Sequence, residues 1–254
     1  MSLRNTTALI TGGSGGIGYR ISKAFASAGA RVIILSHKKE EIDTALFALP
    51  ERLEGEKHHE GIVHNVTSEQ PPAGVDFSEV DVLVNCAGIS LTGLLSTTST
   101  KDIQNVVNVN LVGTMFMTKF AMEAWQKRYP ERAASDRKAE GNGCIINISS
   151  ILGLRAVSPG LSIYAATKAA LIMFTKSMCV EGGRMAIRSN AICPGYVRTE
   201  MTKAHELSFK TPLQEFGDTG DVSVESIANA AMYFATNPQV SGSILSVDKG
   251  ICAN

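Results

Sequence analysis

The sequence lacks an excess of either charge, a long apolar run and paired cysteines. Its 254 residues include 24 Lys and Arg against 24 Asp and Glu, so the formal net charge is zero. That balance argues against nucleic acid or an anionic membrane as the main partner. No uninterrupted apolar run approaches the ~18 residues that a membrane-spanning helix needs. A hydrophobic content of 44% without any long low-complexity tract excludes a disordered chain.

The cysteines form no C-x-x-C pair, and their number is odd, which is typical of reduced thiols in a reducing compartment. They are Cys86, Cys144, Cys179, Cys193 and Cys252. Cys86 and Cys144 are expected in the core. A strand-like run begins at Thr7 and leaves no room for a secretory signal. No Arg-rich transit peptide is visible, although a processed form could have lost one. We therefore expect an intracellular protein in the cytoplasm or the mitochondrial matrix.

Short β-rich runs alternate with longer helical patterns along the chain. Strands are predicted at residues 7–10, 31–35, 61–66, 81–85, 144–148, 188–192 and 244–247, and helices at 17–28, 39–49, 102–128, 162–179 and 224–236. Such alternation forms βαβ crossovers, so we predict one α/β domain over residues 1–254. Its fold is a Rossmann-type, doubly wound, seven-stranded parallel sheet.

Two segments depart from this alternation. The link between residues 66 and 81 contains Pro71-Pro72 and leaves room only for a shrunken helix. Residues 128–143 are rich in charged and small residues, which predicts a surface insertion.

A glycine-rich turn, Thr11-Gly12-Gly13-Ser14-Gly15-Gly16-Ile17-Gly18, joins the first strand to the first helix. Glycines let the backbone approach a pyrophosphate, and the helix N-terminus supplies amide donors and a positive dipole end. A glycine cluster alone could be a flexible turn, but its position between strand and helix fits a dinucleotide site. The spacing T-G-x-x-x-G-x-G resembles that of the short-chain dehydrogenase/reductase family, in which this turn binds NAD(H) or NADP(H).

Further segments match the same family in the same order. Asn85-Cys86-Ala87-Gly88 is similar to its N-N-A-G element, with Cys86 as a departure. The other matches are Asn110-Leu111-Val112-Gly113, Ile146-Asn147-Ile148-Ser149-Ser150, Tyr164-Ala165-Ala166-Thr167-Lys168 and Pro194-Gly195-Tyr196-Val197-Arg198-Thr199. The Y-x-x-x-K pattern alone is weak evidence, and its strength lies in this context.

The resemblance implies that hydride moves between nicotinamide and a carbonyl or alcohol carbon, with Tyr164 as general acid or base. Lys168, one helical turn away, is expected to lower the pKa of Tyr164 and to bind the nicotinamide ribose. Ser150 would donate to the substrate oxygen, and Asn110 would hold a water that passes protons through Lys168. Taken singly, these residues could be a core tyrosine, a helix-capping serine and a helix-breaking asparagine. The segment between Ser150 and Tyr164 is one residue longer than in many relatives. The shape of the substrate pocket is therefore not predicted.

The same resemblance implies the cofactor contacts. They are Gly12, Ser14, Gly16, Ile17, Gly18, Ser36, His37, Lys38, Asn65, Val66, Asn85, Ala87, Gly88, Tyr164, Lys168, Pro194, Gly195, Val197 and Thr199. No acid precedes Glu40 at the end of the second strand, where an NAD enzyme usually has one. Ser36-His37-Lys38 can instead accept a 2′-phosphate, so NADP(H) is favoured over NAD(H). Lys38-Lys39 could also be an ordinary solvated helix start.

No metal site is predicted. His58, His59 and His64 lack a carboxylate or cysteine at ligand spacing, and neighbouring strand residues point to opposite faces.

Within the family, residues 65–67, 196–202 and 247–250 look most like 3-oxoacyl-[acyl-carrier-protein] reductases. The charged insertion and the short 66–81 link resemble the fungal mitochondrial version. A brief substrate lid at about residues 199–216 suits an open cleft for a tethered acyl chain. A basic rim could dock the acidic carrier protein, although a plain solvated loop explains it equally well. Its residues are Lys127, Arg128, Arg132, Arg137 and Lys138.

Two alternatives to this function stay open. One is a reductase or dehydrogenase of a free small ketone, quinone, steroid or sugar alcohol. The other is a non-catalytic cofactor-binding scaffold, against which the intact Asn110, Ser150, Tyr164 and Lys168 argue.

Assembly is predicted as a homotetramer. The resemblance implies that helices 102–128 and 162–179 pair across one two-fold axis and that residues 244–254 meet across another. Independently, helix 162–179 is apolar over more of its circumference than a one-sided surface helix needs. Stacked two-fold interfaces give dihedral symmetry, of which a tetramer is the smallest closed form.

Overall fold

Seven parallel strands form one sheet in the order β3-β2-β1-β4-β5-β6-β7. The computed structural model describes residues 1–128, 143–156, 159–202 and 221–252. The strands are β1 Thr7–Thr11, β2 Arg31–Ser36, β3 Glu60–Val63, β4 Val82–Asn85, β5 Gly143–Ile148, β6 Ile187–Pro194 and β7 Ile244–Val247. The order reverses at β1, which pairs with both β2 and β4. The predicted doubly wound fold is therefore confirmed, and ligands in such folds bind outside the strand ends at this reversal.

Helices cover both faces of the sheet. Within the described residues they are α1 Gly16–Ser27, α2 Lys39–Phe47, α3 Thr100–Val107, α4 Gly113–Arg128, α5 Ser162–Gly183 and α6 Val224–Thr236. Helices α1, α2 and α6 bury apolar side chains in one cluster with the sheet, among them Phe25 and Phe234. On the opposite face α4 packs Met117, Phe120 and Trp125 into a second cluster. Because both faces are covered, β1 and β2 consist almost wholly of buried residues.

The helix predicted at residues 102–128 is divided in the structure. A π-helical turn, Asn108–Val112, separates α3 from α4 and carries Asn110. π-Turns inside helices occur frequently at functional sites. Gly113 follows this turn and packs closely against Val66. A Cβ added to Gly113 would lie 2.8 Å from Val66 Cγ2.

Other predicted boundaries shift slightly or lie outside the described residues. β3 ends at Val63 rather than at residue 66, so Asn65 and Val66 belong to the following loop. The link that follows contains a single 3-10 turn, Phe77–Glu79, in place of a full helix. Residues 129–142 of the predicted insertion and 203–216 of the predicted lid are not among the described residues.

Helix α5 is long and apolar enough, by length and composition, to cross a membrane. It packs against β6 in this fold, and its buried face includes Lys168, Leu171 and Thr175. The core helix of a water-exposed domain meets the same criteria, so the helix is weak evidence for a membrane span.

Candidate active site

The glycine turn forms a backbone cradle at the carboxyl end of β1. Gly12 has φ of 65°, and a Cβ added there would lie 3.0 Å from the backbone of Ala87. A Cβ on Gly18 would lie only 2.2 Å from the carbonyl oxygen of Gly12. At Gly15, by contrast, no atom lies within 4 Å of an added Cβ. The cradle is therefore tightly packed behind and open in front, which fits a dinucleotide pyrophosphate.

Strands β1 and β4 bring the loop after β4 next to the glycine turn. Thr11 is in register with Asn85, so β1 and β4 end level with each other. The Thr11 hydroxyl oxygen accepts hydrogen bonds from the backbone amides of Cys86 and Ala87, at 3.1 and 3.0 Å. The loop after β4 is thereby tied to the glycine turn.

A cavity of about 760 Å³ runs along this edge of the sheet. Most of the predicted cofactor-binding residues line it. These are Gly12, Ser14, Gly16, Ile17, Gly18, Ser36, His37, Asn65, Val66, Ala87, Gly88, Tyr164, Lys168, Pro194, Gly195, Val197 and Thr199. Lys38 and Asn85 are not among the lining residues.

The Asn85 side chain points into the protein rather than into the cavity, and its cofactor contact stays a prediction. Its side chain is buried, and its amide nitrogen donates to Thr118 Oγ1 at 3.2 Å and to Asn147 Oδ1 at 2.9 Å. Because β4 is in register with β5, these bonds join the two strands to α4. The position of Asn85 thus serves the packing beneath the site.

Helix α5 carries two of the predicted catalytic residues on the face that meets the end of β5. The Lys168 ammonium donates to the carbonyl oxygen of Ile148 at 2.9 Å and stands 5.5 Å from the centre of the Tyr164 ring. Ser150 follows β5, and its hydroxyl oxygen accepts from the Leu152 amide at 3.1 Å. Its hydroxyl also makes a hydrogen bond with that of Tyr164. The structure therefore brings Ser150, Tyr164 and Lys168 together at the cavity wall.

Asn110 lies just behind the cavity and is fully buried. Its oxygen accepts from the Ile89 amide at 2.8 Å, while its nitrogen donates to the Ile89 carbonyl at 2.9 Å and to Thr167 Oγ1 at 3.1 Å. A Cβ on Gly88 would lie 3.3 Å from Asn110 Oδ1 and 3.6 Å from Lys168 Nζ. The side chains of Asn110 and Lys168 therefore both lie beside Gly88. The proton relay through a water at Asn110 stays a prediction.

The comparison with known proteins agrees with this arrangement. Residues 6–208 match the family model of the short chain dehydrogenases. The chain belongs to the short-chain dehydrogenase/reductase family. It is therefore an NAD(P)-dependent oxidoreductase that acts on CH–OH and C=O groups.

Members of this family with different names resemble the chain over nearly its whole length. A 3-oxoacyl-[acyl-carrier-protein] reductase of Chlamydia trachomatis is 37% identical over 98% of each chain. Carbonyl reductase family member 4 of Danio rerio is 33% identical over 96% of this chain and 97% of the relative. A solved gluconate 5-dehydrogenase from Burkholderia cenocepacia, in complex with NADP and tartrate, is 27% identical with a TM-score of 0.81. That match covers 100% of this chain and 97% of the solved one.

The pKa of Tyr164 differs from the expectation for this family member. Burial raises the pKa of the Tyr164 hydroxyl to about 12, an effect only partly opposed by the hydrogen bond with Ser150. Burial also lowers the pKa of the Lys168 ammonium to about 8. The Tyr164 pKa is therefore raised in this structure rather than lowered as expected, because burial disfavours the charged form of its hydroxyl.

This shift predicts a pH-dependent stability that the Lys168→Met variant should not share. Lys168 has a folded pKa of about 8 and an ordinary pKa of 10.5, so between these values the unfolded chain binds more protons. Wild-type stability should therefore rise with pH across this window, relative to the variant, by roughly 3 kcal/mol at ~1.4 kcal/mol per unit. Urea unfolding of both proteins at pH 7, 8, 9 and 10 measures the difference. A difference that stays constant across this pH range would contradict a lowered pKa for the buried Lys168 ammonium.

Cys86 and Glu41 are among the cavity-lining residues that the sequence did not assign to the site. Cys86, expected in the core, is partly buried against the core cluster and also lines the cavity, and burial raises the pKa of its thiol to about 11. Cys144 is buried as expected. Glu41 also lines the cavity from the first turn of α2. Helical side chains lean toward the N-terminus of their helix, so a residue in the first turn of α2 leans toward the end of β2. The sequence could therefore have predicted that Glu41 reaches the cavity.

The cavity lining also includes apolar side chains, among them Ile89, Val109, Leu152, Leu161, Tyr196 and Met201, and polar ones such as Ser90, Asn105, Glu200 and Thr202. Leu152 lies two residues after Ser150, and Leu161 lies three residues before Tyr164. These two side chains therefore place apolar surface near the candidate catalytic hydroxyls. Across the described ranges, no group of three His, Cys, Asp or Glu side chains is placed to hold a metal ion.

Proposed function

We propose that this enzyme is an NADPH-dependent reductase of 3-oxoacyl-[acyl-carrier-protein], which it converts to the 3-hydroxyacyl form. The observation that carries the proposal is the meeting of Ser150, Tyr164 and Lys168 between the glycine cradle and an apolar pocket. A relative of that name at 37% identity supports the choice of substrate. An apolar pocket that opens to the surface suits a long acyl chain presented on a tether.

The residues at the end of β5 and on α5 provide the proton and hold the carbonyl. A nicotinamide cofactor held by the glycine turn would supply the hydride that reduces the carbonyl carbon. Tyr164, whose raised pKa keeps it protonated at neutral pH, donates its proton to the oxygen that gains the negative charge. Ser150 accepts from the Leu152 amide, so its own proton can be directed to the same oxygen. The Lys168 ammonium lies where it stabilises the tyrosinate left after the transfer.

The preference for NADP(H) is part of this proposal. Ser36 ends β2, lines the cavity and accepts a hydrogen bond from Ser14 Oγ at 2.9 Å. These hydroxyls, with His37 beside them, offer hydrogen-bond donors for a 2′-phosphate. The ratio of kcat/KM with NADPH to that with NADH measures the preference, and a ratio below one would overturn it.

The substrate assignment is tested by comparing substrates at equal concentration with NADPH. A 3-oxoacyl chain on acyl carrier protein is expected to give a kcat/KM well above that of the same acyl group on a short thiol. Small free ketones are expected to be poorer still. The second candidate is a reductase of free ketones or sugar-derived substrates, favoured by the relatives named carbonyl reductase and gluconate 5-dehydrogenase. Equal turnover of tethered and free substrates would favour that candidate, and absence of turnover would favour a scaffold.

Carrier docking at the predicted basic rim is only partly described. Lys127 and Arg128 form the last turn of α4, whereas Arg132, Arg137 and Lys138 lie outside the described residues. Arg128 pairs with Asp81 at 2.9 Å, which reduces the charge it offers a carrier. Lys127 is therefore the better of the two for a charge-reversal experiment on carrier affinity.

A homotetramer is the proposed assembly. Met173 and Val180 are 61% and 79% exposed on α5, the one helix of the described residues that is long and apolar enough to cross a membrane. Leu245 on β7 is also exposed, at the second predicted interface. Light scattering at micromolar concentration should give about four times the 27.0 kDa of one chain. A monomer would contradict the prediction, and a dimer would leave one of the two interfaces.

A further inference from the structure

Glu41 lies where the end of β2 meets the glycine turn. Ser36 is the last residue of β2, and its hydroxyl accepts from Ser14 Oγ at 2.9 Å. Ser14 Oγ also lies 3.5 Å from Glu41 Oε2, and all three residues line the cavity. In dinucleotide-binding folds this point receives the ribose of the adenosine half. A carboxylate thus faces the position that distinguishes NAD(H) from NADP(H).

Lys38 places a positive charge next to the Glu41 carboxylate. Its ammonium donates to Glu41 Oε1 at 2.7 Å, so one oxygen of the carboxylate holds Lys38 while the other faces Ser14. The pair keeps both groups charged, because this hydrogen bond lowers the pKa of Glu41 and raises that of Lys38. His37, the other ionisable neighbour on this side, lines the cavity next to them.

Helix geometry explains why Glu41, rather than Glu40, reaches the cavity. Lys38 is the N-cap of α2, and Glu41 lies three residues further on, in the first turn. Residues at this spacing are neighbours on one helix face, and their side chains lean back toward the N-terminus. Glu40 has no part in the cavity lining.

We propose that Glu41 and Lys38 together select the cofactor by its adenosine ribose. Glu41 accepts a hydrogen bond from the free 2′-hydroxyl of NAD(H), whereas Lys38 releases Glu41 and pairs with the 2′-phosphate of NADP(H). The Glu41 carboxylate repels the 2′-phosphate. Glu41 therefore limits the preference for NADP(H) over NAD(H) that Ser36, His37 and Lys38 would otherwise give. The proposal rests on the assignment of this cavity to the nicotinamide cofactor.

An ordinary solvated ion pair on the same helix provides the control. Lys39 and Asp43 also pair on α2, and their side chains are 62% and 54% exposed. Neither lines the cavity. Exposed pairs of this kind contribute little to stability, so Asp43→Asn tests the effect of removing one helix charge by itself.

The test measures binding of two adenosine fragments to the purified full chain by calorimetry. The probes are adenosine 2′,5′-bisphosphate and adenosine 5′-monophosphate, which differ only in the 2′ group. Glu41→Gln is expected to tighten the bisphosphate and weaken the monophosphate, so that the ratio of their dissociation constants shifts by about tenfold, the size of one charge-assisted hydrogen bond. Lys38→Gln should shift this ratio by a similar factor in the opposite direction. Asp43→Asn should leave it within twofold of wild type.

The proposal would be overturned if the ratio of dissociation constants in Glu41→Gln stayed within twofold of wild type. It would also be overturned if the ratio shifted no more than in Asp43→Asn. Failure of both probes to bind the wild-type chain would overturn it as well, together with the assignment of the cavity. The wild-type ratio by itself tests the proposed NADP(H) preference, so the two proposals can fail separately.

Discussion

Tyr164→Phe is expected to lower kcat for carbonyl reduction by ~10²–10⁴-fold, the usual contribution of a general acid. The change removes only the hydroxyl from a residue of α5 whose ring forms part of the cavity wall. The neighbouring contact of Lys168 with the Ile148 carbonyl does not involve that hydroxyl, so it should persist. NADPH affinity, measured by fluorescence titration, should therefore stay within a few-fold of wild type.

The matched control is Tyr233→Phe. Tyr233 lies on α6, is 40% exposed and is not among the residues that line the cavity. It should retain full activity. If Tyr164→Phe kept its activity within threefold of wild type, Tyr164 could not be the proton donor.

Gly18→Ala is expected to weaken NADPH binding by tenfold or more. The new Cβ would lie 2.2 Å from the Gly12 carbonyl oxygen and 2.8 Å from its carbon, and both atoms belong to the backbone of the glycine turn. No side-chain movement relieves that contact, so either α1 or the turn must shift. Overpacking of this kind costs about 1–3 kcal/mol, and here the distortion falls on the cradle itself. Fluorescence titration gives the loss of affinity, and thermal unfolding gives the loss of stability.

Gly183→Ala separates this effect from that of adding a methyl group to any helix. Gly183 is the last residue of α5, and no atom lies within 4 Å of a Cβ added there. The control should bind NADPH like wild type and should be at least as stable. Unchanged affinity in Gly18→Ala would show that the turn tolerates a wider spacing than its packing indicates.

The sequence by itself predicted the fold, which the structure confirms, and named the residues of the candidate site, which stay a prediction. Apolar runs such as those of β1 and β2 are typical of strands covered on both faces, and their alternation with helices favours a parallel sheet. The Y-x-x-x-K spacing places Tyr164 and Lys168 one turn apart on a single helix, whatever surrounds it. These features are local in the chain, so a linear pattern is sufficient to predict them. Location in the cytoplasm or the mitochondrial matrix stays a prediction.

The tertiary structure decided the orientation of individual side chains and the pKa values. Asn85 follows the family pattern, yet its amide turns inward because Thr118 and Asn147 come from α4 and β5 to meet it. Glu41 reaches the cavity because α2 begins beside Ser14 of the glycine turn. The pKa of Tyr164 is raised rather than lowered, because burial disfavours the charged form of its hydroxyl. Each outcome depends on neighbours distant in sequence, and the free energy of removing a polar group from water is set by all of them together.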